Sequence, residues 1–304
     1  MIDGVPKTGF PGWSRFLLGD FQCTVLTDGP FQVGPPASAF VGASEQELTE
    51  ILRDAFLPTE MISLQQNMLL IETGRERILF DSGAGRAPEY GGKIFGPTTG
   101  RVLDTMHKIG ISPDDIDIIA LTHAHPDHCW GLTDPAGEPI YKNARILINK
   151  VEFEHWMSAQ NASSPEFARD RLTFQGAYAN LSPYRDRTSF ISDREEPIQG
   201  IKTIVAAGHS PGHTMYQIES AGEKLLQWGD LAHHPVLIAR PELSIVFDFD
   251  PQKAAQSRLK VFDWVTNERM EVFACHFGFP GLGHLRRTSA GYDWVATGID
   301  TLER

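Results

Sequence analysis

Apolar and polar positions divide the chain into short runs and helical stripes. The runs "QCTVLTD" (22–28) and "NMLLIET" (67–73) predict strands, and the second reaches "RILFDSGAG" through the turn "GRE", a hairpin signal. Between them "SEQELTEILRDAF" has helical spacing, with Ser44 as N-cap and Glu47 three positions later completing a capping box. "GRVLDTMHKIGI" predicts a second helix, its inner face formed by Leu103, Met106 and His107 and its end marked by Gly110. "DIDIIALT" predicts a strand that runs directly into "HAHPDH". The strand "ARILINK" and a helix around "VEFEHWMSAQ" follow, then a polar stretch over 161–197 that mixes helix and loop.

The second half repeats this grammar: "IKTIVAAG", a His-bearing loop, "TMYQIES", the turn "AGE", "KLLQWGD", another His-bearing loop, the helix "PQKAAQSRLKVFDWVTNER" and the strand "MEVFACH". Two similar strand-and-helix halves predict an α+β protein with two sheets face to face and helices outside. No Ser-, Gly- or charge-rich linker separates the halves. The chain therefore reads as one domain over 1–304, with 1–20 as an N-terminal extension.

Composition changes the picture only by exclusion. A formal charge of −12 opposes phosphate backbones and anionic lipid, so neither a nucleic acid nor a membrane is expected as partner. The N-terminus lacks a charged start followed by an apolar core, and no run approaches a membrane span in length. Cys23, Cys129 and Cys275 are odd in number and far apart, which speaks against a disulfide framework and fits a reducing, cytoplasmic setting.

The histidines supply the chemistry. Of eleven in the chain, His123, His125 and His128 fall within six positions, with Asp127 among them. An extended chain turns alternate side chains the same way, so His123 and His125 can hold one ion from a strand end. Asp127 and His128 follow where the chain turns, projecting toward a second position. A catalytic zinc needs further protein ligands and one open coordination position. Later strand ends offer them: His209 or His213 in "AAGHSPGHT", Asp230 in "LQWGDLAHH" and His276 in "FACHFGFPGLGH". A lone loop histidine is more often a surface group, but four strand ends each delivering a ligand type favour a site.

"HAHPDH", followed by "GHSPGHT", "GD" and a C-terminal His, resembles the metallo-β-lactamase superfamily pattern HxHxDH, H, D, H, over residues 67–284. The resemblance implies a four-layer αβ/βα sandwich with two divalent metal ions, zinc by preference, at one edge. By position it implies that His123, His125 and His213 hold the first, that Asp127, His128 and His276 hold the second, and that Asp230 bridges them. His209 then becomes a supporting group. Two such ions share a hydroxide that serves as nucleophile. Asp81, ending "RILFDSG", is expected to hydrogen-bond a ligand imidazole.

"QWGDLAHHPVL" and "CHFGFPGLGHL" resemble the branch of methyl parathion hydrolase and N-acyl homoserine lactonases, where homodimers are common. This implies attack on a small-molecule lactone, ester or phosphotriester. His233 falls where several lactonases carry a tyrosine, and is expected to bind or protonate the substrate oxygen. Among aromatic candidates for a pocket (Phe10, Trp13, Phe31, Phe95, Trp130, Trp156, Phe277 and Phe279), Trp130, Phe277 and Phe279 adjoin the cluster and are expected to form an apolar wall, with His284 beside it. A thioesterase resembling glyoxalase II, weakened by the lack of a C-terminal Arg and Lys cluster but kept open by Arg286 and Arg287, and a hydrolytic dehalogenase share the ligand set. A metal-binding module without turnover is the non-enzymatic alternative, and a closed four-ligand zinc would mark it.

Overall fold

The computed structural model describes residues 12–87, 94–289 and 291–298. Two mixed sheets carry the fold. The first has seven strands among the described residues, in the spatial order β1 (Trp13–Leu18), β2 (Phe21–Thr27), β6 (Asn67–Glu72), β7 (Arg77–Phe80), β8 (Ile118–Ala120), β9 (Arg145–Asn149) and β10 (Thr188–Ile191). The second has six: β11 (Ile201–Val205), β12 (Thr214–Ser220), β13 (Glu223–Gln227), β15 (Glu271–Phe273), β16 (Leu282–Arg287) and β17 (Tyr292–Ala296). Two small ribbons stand apart, β3 (Phe31–Gly34) with β5 (Ile62–Leu64), and β4 (Phe40–Val41) with β14 (Ser244–Ile245).

The central strands read as continuous apolar runs because both of their faces are covered. Successive residues of β6 therefore divide between layers. Leu69 and Ile71 join Phe80, Ile118, Ile218 and Phe273 between the sheets, while Met68 and Leu70 pack outward with Met106 and Ile119 beneath helices. A third cluster lies on the outer face of the second sheet, around Trp228, just after β13, and Phe262 of the long helix Pro251–Glu268. The helix–sheet–sheet–helix layering is that of the expected sandwich.

Three expectations change. Residues 13–18 are not an extension but the edge strand β1, paired antiparallel with β2, while 1–11, including Phe10, lie outside the described residues. The polar stretch 161–197 ends in a further strand, β10, which pairs parallel with β9. The helix Val102–Lys108 buries Val102, Thr105 and Met106, leaving Leu103 half-buried and His107 exposed. Its start is set from outside: the buried carboxylate of Asp28 accepts the N–H groups of Val102 and Ala84, both at 2.9 Å, and turns Val102 inward. No helix among the described residues is long and apolar enough to cross a membrane.

Candidate metal centre

The site forms where strands of both sheets end. The chain leaves β8, places His123 and His125, and turns at Pro126 into the one-turn helix Pro126–Cys129, with His125 at the N-cap position and its side chain left free of capping. Proline suits the first helical position because the N–H it lacks has no intrahelical partner there. That turn carries Asp127 and His128. From the second sheet come His209 in the β11–β12 loop, Asp230 just after β13 and His276 just after β15.

Asp230 is the shared member. Its Oδ1 lies 3.2 Å from His128 Nε2 and 3.1 Å from His276 Nε2, while Oδ2 lies 3.2 Å from His209 Nε2 and 3.7 Å from His123 Nε2. His125 Nδ1 is 2.9 Å from His209 Nε2, which is 3.2 Å from His123 Nε2. Asp127 Oδ2 sits 3.5 Å from His276 Nε2 and 3.6 Å from His128 Nε2. Two groups result: His123, His125, His209 and Asp230, and beside it His128, His276, Asp127 and Asp230.

This donor set fits two divalent cations. Three imidazole nitrogens face one another in the first group, and a proton between any pair leaves a lone pair opposed to a lone pair. In the second, the buried Nε2 of His128 makes no hydrogen bond among the described residues. A cation in each group would satisfy these atoms. Cys275 also adjoins the second group, but its Sγ is 3.3 Å from Gly229 O as a donor, and burial pushes the thiol up to about 12.

The structure replaces His213 with His209. The Nε2 of His213 accepts the Asp230 N–H at 2.9 Å and its Nδ1 faces Ala206 O at 3.2 Å, so neither nitrogen is left for an ion. His213 instead holds the backbone of the bridging carboxylate. The expected roles of these two histidines are thus exchanged.

The outer nitrogens of the inward-facing histidines are held in turn. Asp81 Oδ2 lies 2.9 Å from His128 Nδ1, and the same carboxylate accepts the N–H and Oγ–H of Thr122. This is the expected support. Asp81 has φ 62°, a left-handed conformation that Asp tolerates better than most residues, and it aims the carboxylate back across the strand ends. Gln65 O faces His276 Nδ1 at 2.8 Å, and Asp248 Oδ1 faces His209 Nδ1 at 3.0 Å. Asp248 in turn meets Arg258, whose buried guanidinium also donates to the carbonyls of Leu231, Pro241 and Leu243.

Electrostatics separate the imidazoles. Burial, reinforced by neighbouring imidazoles, pulls His123 and His125 well below the usual histidine range. Burial acts the same way on His209, but Asp230 and Asp248 overcome it and raise it to about 9. Burial would raise Asp230, yet the imidazoles of His128 and His276 hold its carboxyl well below the usual range. The site therefore keeps an ionised carboxylate at its centre, the form a cation needs.

The two groups open into a cavity of about 450 Å³. Phe31, Val33 and Leu64 of the β3–β5 ribbon, with Phe95 and Phe247, form its apolar wall, and Arg169, Asp170 and Thr173 give a polar side. His233 lines it, with Nε2 2.9 Å from Asp230 Oδ2 and its ring stacked on His276 at 5.3 Å. Of the aromatic candidates, Phe31, Phe95 and Trp156 reach the cavity, and the three expected to form the wall do not. Trp130 is fully buried beneath the first sheet because its backbone turns the indole away toward the helix Arg171–Leu181. Phe277 packs behind His276 against Trp228 and Trp294, and Phe279 packs against the inter-sheet core. His284 lies on β16 opposite Val295, away from the cavity. Adjacency in sequence failed here because a strand end sends neighbouring side chains to opposite sides.

Proteins of known structure share this fold. The chain is 23% identical over 239 residues to the N-acyl homoserine lactonase of Bacillus thuringiensis, covering 74% of this chain and 86% of that protein. It superposes on AidC, a dizinc quorum-quenching lactonase solved in complex with a product, with a TM-score of 0.87 and 28% identity over 95% of this chain and 99% of that one. On the hydrolase AbOPH, of the beta lactamase superfamily, the TM-score is 0.86 and the identity 31%, over 95% and 98% of the two chains. The sequence profile of the metallo-beta-lactamase superfamily matches residues 62–276, most of the chain, and the protein belongs to that superfamily.

Proposed function

We propose that this metal-dependent hydrolase opens small lactones bearing an apolar substituent, with two zinc ions held by His123, His125, His209, Asp127, His128, His276 and the bridging Asp230. The observation that carries the reading is Asp230, shared between two imidazole groups on the floor of an apolar-walled cavity. When bound, the two cations supply an ionised water at neutral pH and a Lewis-acid contact for the carbonyl oxygen.

The chain's own residues do the rest. Phe31, Val33, Leu64 and Phe95 take the apolar substituent out of water, which stabilises binding by about 25 cal/mol per Å² buried. Burial pulls His233 down to about 4, with Asp230 opposing, so at neutral pH it is a neutral imidazole. Its one N–H donates a hydrogen bond to the ring oxygen as the ester opens, in place of a phenol, and stabilises the charge developing there; the ring keeps its proton, and the freed alkoxide takes one from water.

Similarity to AidC and to the Bacillus thuringiensis lactonase supports lactones over the other esters. The thioesterase alternative loses its support: Arg286 pairs with Asp293 and Arg287 with Asp263, both exposed on β16 and away from the cavity. A panel of N-acyl homoserine lactones, aryl esters, thioesters and phosphotriesters, assayed on zinc-loaded protein, tests the proposal. The highest kcat/KM is expected on a lactone. A higher value on a phosphotriester or thioester overturns the substrate class, and no turnover by protein holding two zinc ions leaves the binding-module reading.

A further inference from the structure

Among the described residues, Glu152 is the one fully buried acidic side chain near the site that the chemistry above does not use. It lies on the helix Lys150–Trp156, and among the described residues no cationic side chain pairs with it. Instead its two oxygens collect four donors. Oε1 accepts the N–H of Ala124 at 3.0 Å and the indole N–H of Trp156 at 2.7 Å; Oε2 accepts the Ser210 hydroxyl at 2.8 Å and the Gly212 N–H at 2.7 Å. Three of these donors cannot reverse their role, so the site calls for an acceptor at both ends of the side chain.

What these donors belong to gives the arrangement its meaning. Ala124 stands between His123 and His125, and Ser210 follows His209 directly. Trp156 lies against the His125 ring at 5.4 Å and lines the cavity. One carboxylate thus spans the two loops, one from each sheet, that carry the imidazoles of the first group. None of its bonds reaches the second group, where Asp81 holds His128 and Gln65 O holds His276; the Thr122 hydroxyl lies between the groups, 2.9 Å from His123 Nδ1 and 3.4 Å from His128 Nδ1. The approach is close enough to require glycine at 212, where a Cβ would stand 2.6 Å from the Glu152 nitrogen.

We infer that Glu152 is the positioning residue of the first metal group: it sets the distance between the His123–His125 loop and the His209 loop, and so tunes that ion's affinity without touching it. The inference rests on the two-metal reading above. Outer support of this kind alters metal affinity by about 10–100-fold when removed.

Glu152→Gln tests it, since the amide nitrogen then faces two donors. Zinc-loaded wild type and variant are titrated with a chelator while bound metal is counted. Wild type should release two ions at neighbouring chelator concentrations. The variant should give up one about 10–100-fold more readily and hold the other as wild type does. Equal affinities for both ions in variant and wild type overturn the inference, as does weakening of both together. A wild type that never holds two ions instead defeats the two-metal reading. Should Glu152→Gln fail to fold, Ser210→Ala removes a single hydroxyl from the same carboxylate. It should weaken one ion selectively, by a smaller factor, and an unchanged titration of that variant overturns the inference.

Discussion

The motif "GHSPGHT" shows at the residue scale what a local pattern can and cannot carry. Its two histidines differ in what their nitrogens face: His213 is saturated by Asp230 N–H and Ala206 O, whereas His209 is held at one nitrogen by Asp248 and turns the other toward Asp230, His123 and His125. His209→Ala should therefore leave one tightly bound metal ion. His213→Ala should retain two, each more weakly by about tenfold or more because Asp230 loses its backbone anchor. Elemental analysis after gel filtration distinguishes them, and one ion lost in His213→Ala but not in His209→Ala would reverse the assignment. His233→Ala should keep both ions and lose turnover by about 10²–10³-fold, the cost of one donor to a developing oxyanion; unchanged kcat at equal metal content removes that role. "HAHPDH" was legible because strand alternation alone directs His123 and His125 to one side. The choice between His209 and His213 was not, because it depends on Asp248, 39 positions away in a loop with no periodicity to read.

Elements were legible where their signals are local. The capping box at Ser44 and Glu47 forms both of its hydrogen bonds, and β6 pairs with β7 as the hairpin signal requires. The rotation of the helix Val102–Lys108 was not legible, because Asp28, far upstream, sets where it begins. Long-range packing also overrides propensity in the helix Arg171–Leu181. Alanine is the better helix former, yet a Cβ at Gly176 would stand 2.2 Å from the Trp130 ring. Gly176→Ala should destabilise the protein by about 1–3 kcal/mol in urea unfolding despite its propensity gain of roughly 1 kcal/mol; a stabilised variant would show that Trp130 can yield. The helix Pro235–Ala239 carries a pH term. His234 caps it by accepting the Val236 N–H at Nδ1, 3.3 Å away, and burial pulls its imidazole from 6.5 to about 4. The folded value lies below the unfolded one, so this stabilisation is complete above pH 6.5 and declines as pH falls toward 4. At ~1.4 kcal/mol per unit the full loss is on the order of 3 kcal/mol. His234→Asn keeps a capping acceptor without the titration, so its stability should approach and then match or exceed that of wild type as pH falls from neutral. A gap that is constant with pH contradicts the assignment.

Across the whole molecule the proposed ligand set joins what the chain folds separately. His123, His125, Asp127 and His128 come from the end of β8 in the first sheet, whereas His209, Asp230 and His276 come from the second. Without cations, these groups press imidazole against imidazole at the seam, where His209 Nε2 stands 3.2 Å from His123 Nε2. Metal binding should therefore stabilise the packing of one sheet on the other. Each ion at a free concentration of about a thousand times its Kd adds roughly 4 kcal/mol to stability. At about 2–4 °C per kcal/mol for domains of this order of size, chelation should lower Tm by on the order of 10 °C per ion removed. Calorimetric melts before and after chelation, and again after zinc is restored, read the effect. Zinc should return the original Tm, and it should do so less completely as pH falls below about 6.5, where protons compete for the same imidazole nitrogens. A melt indifferent to chelation would mean that the seam is held by the inter-sheet core of Phe80, Tyr216, Ile218 and Phe273 alone, with the seven ligands carried on a frame already rigid without them.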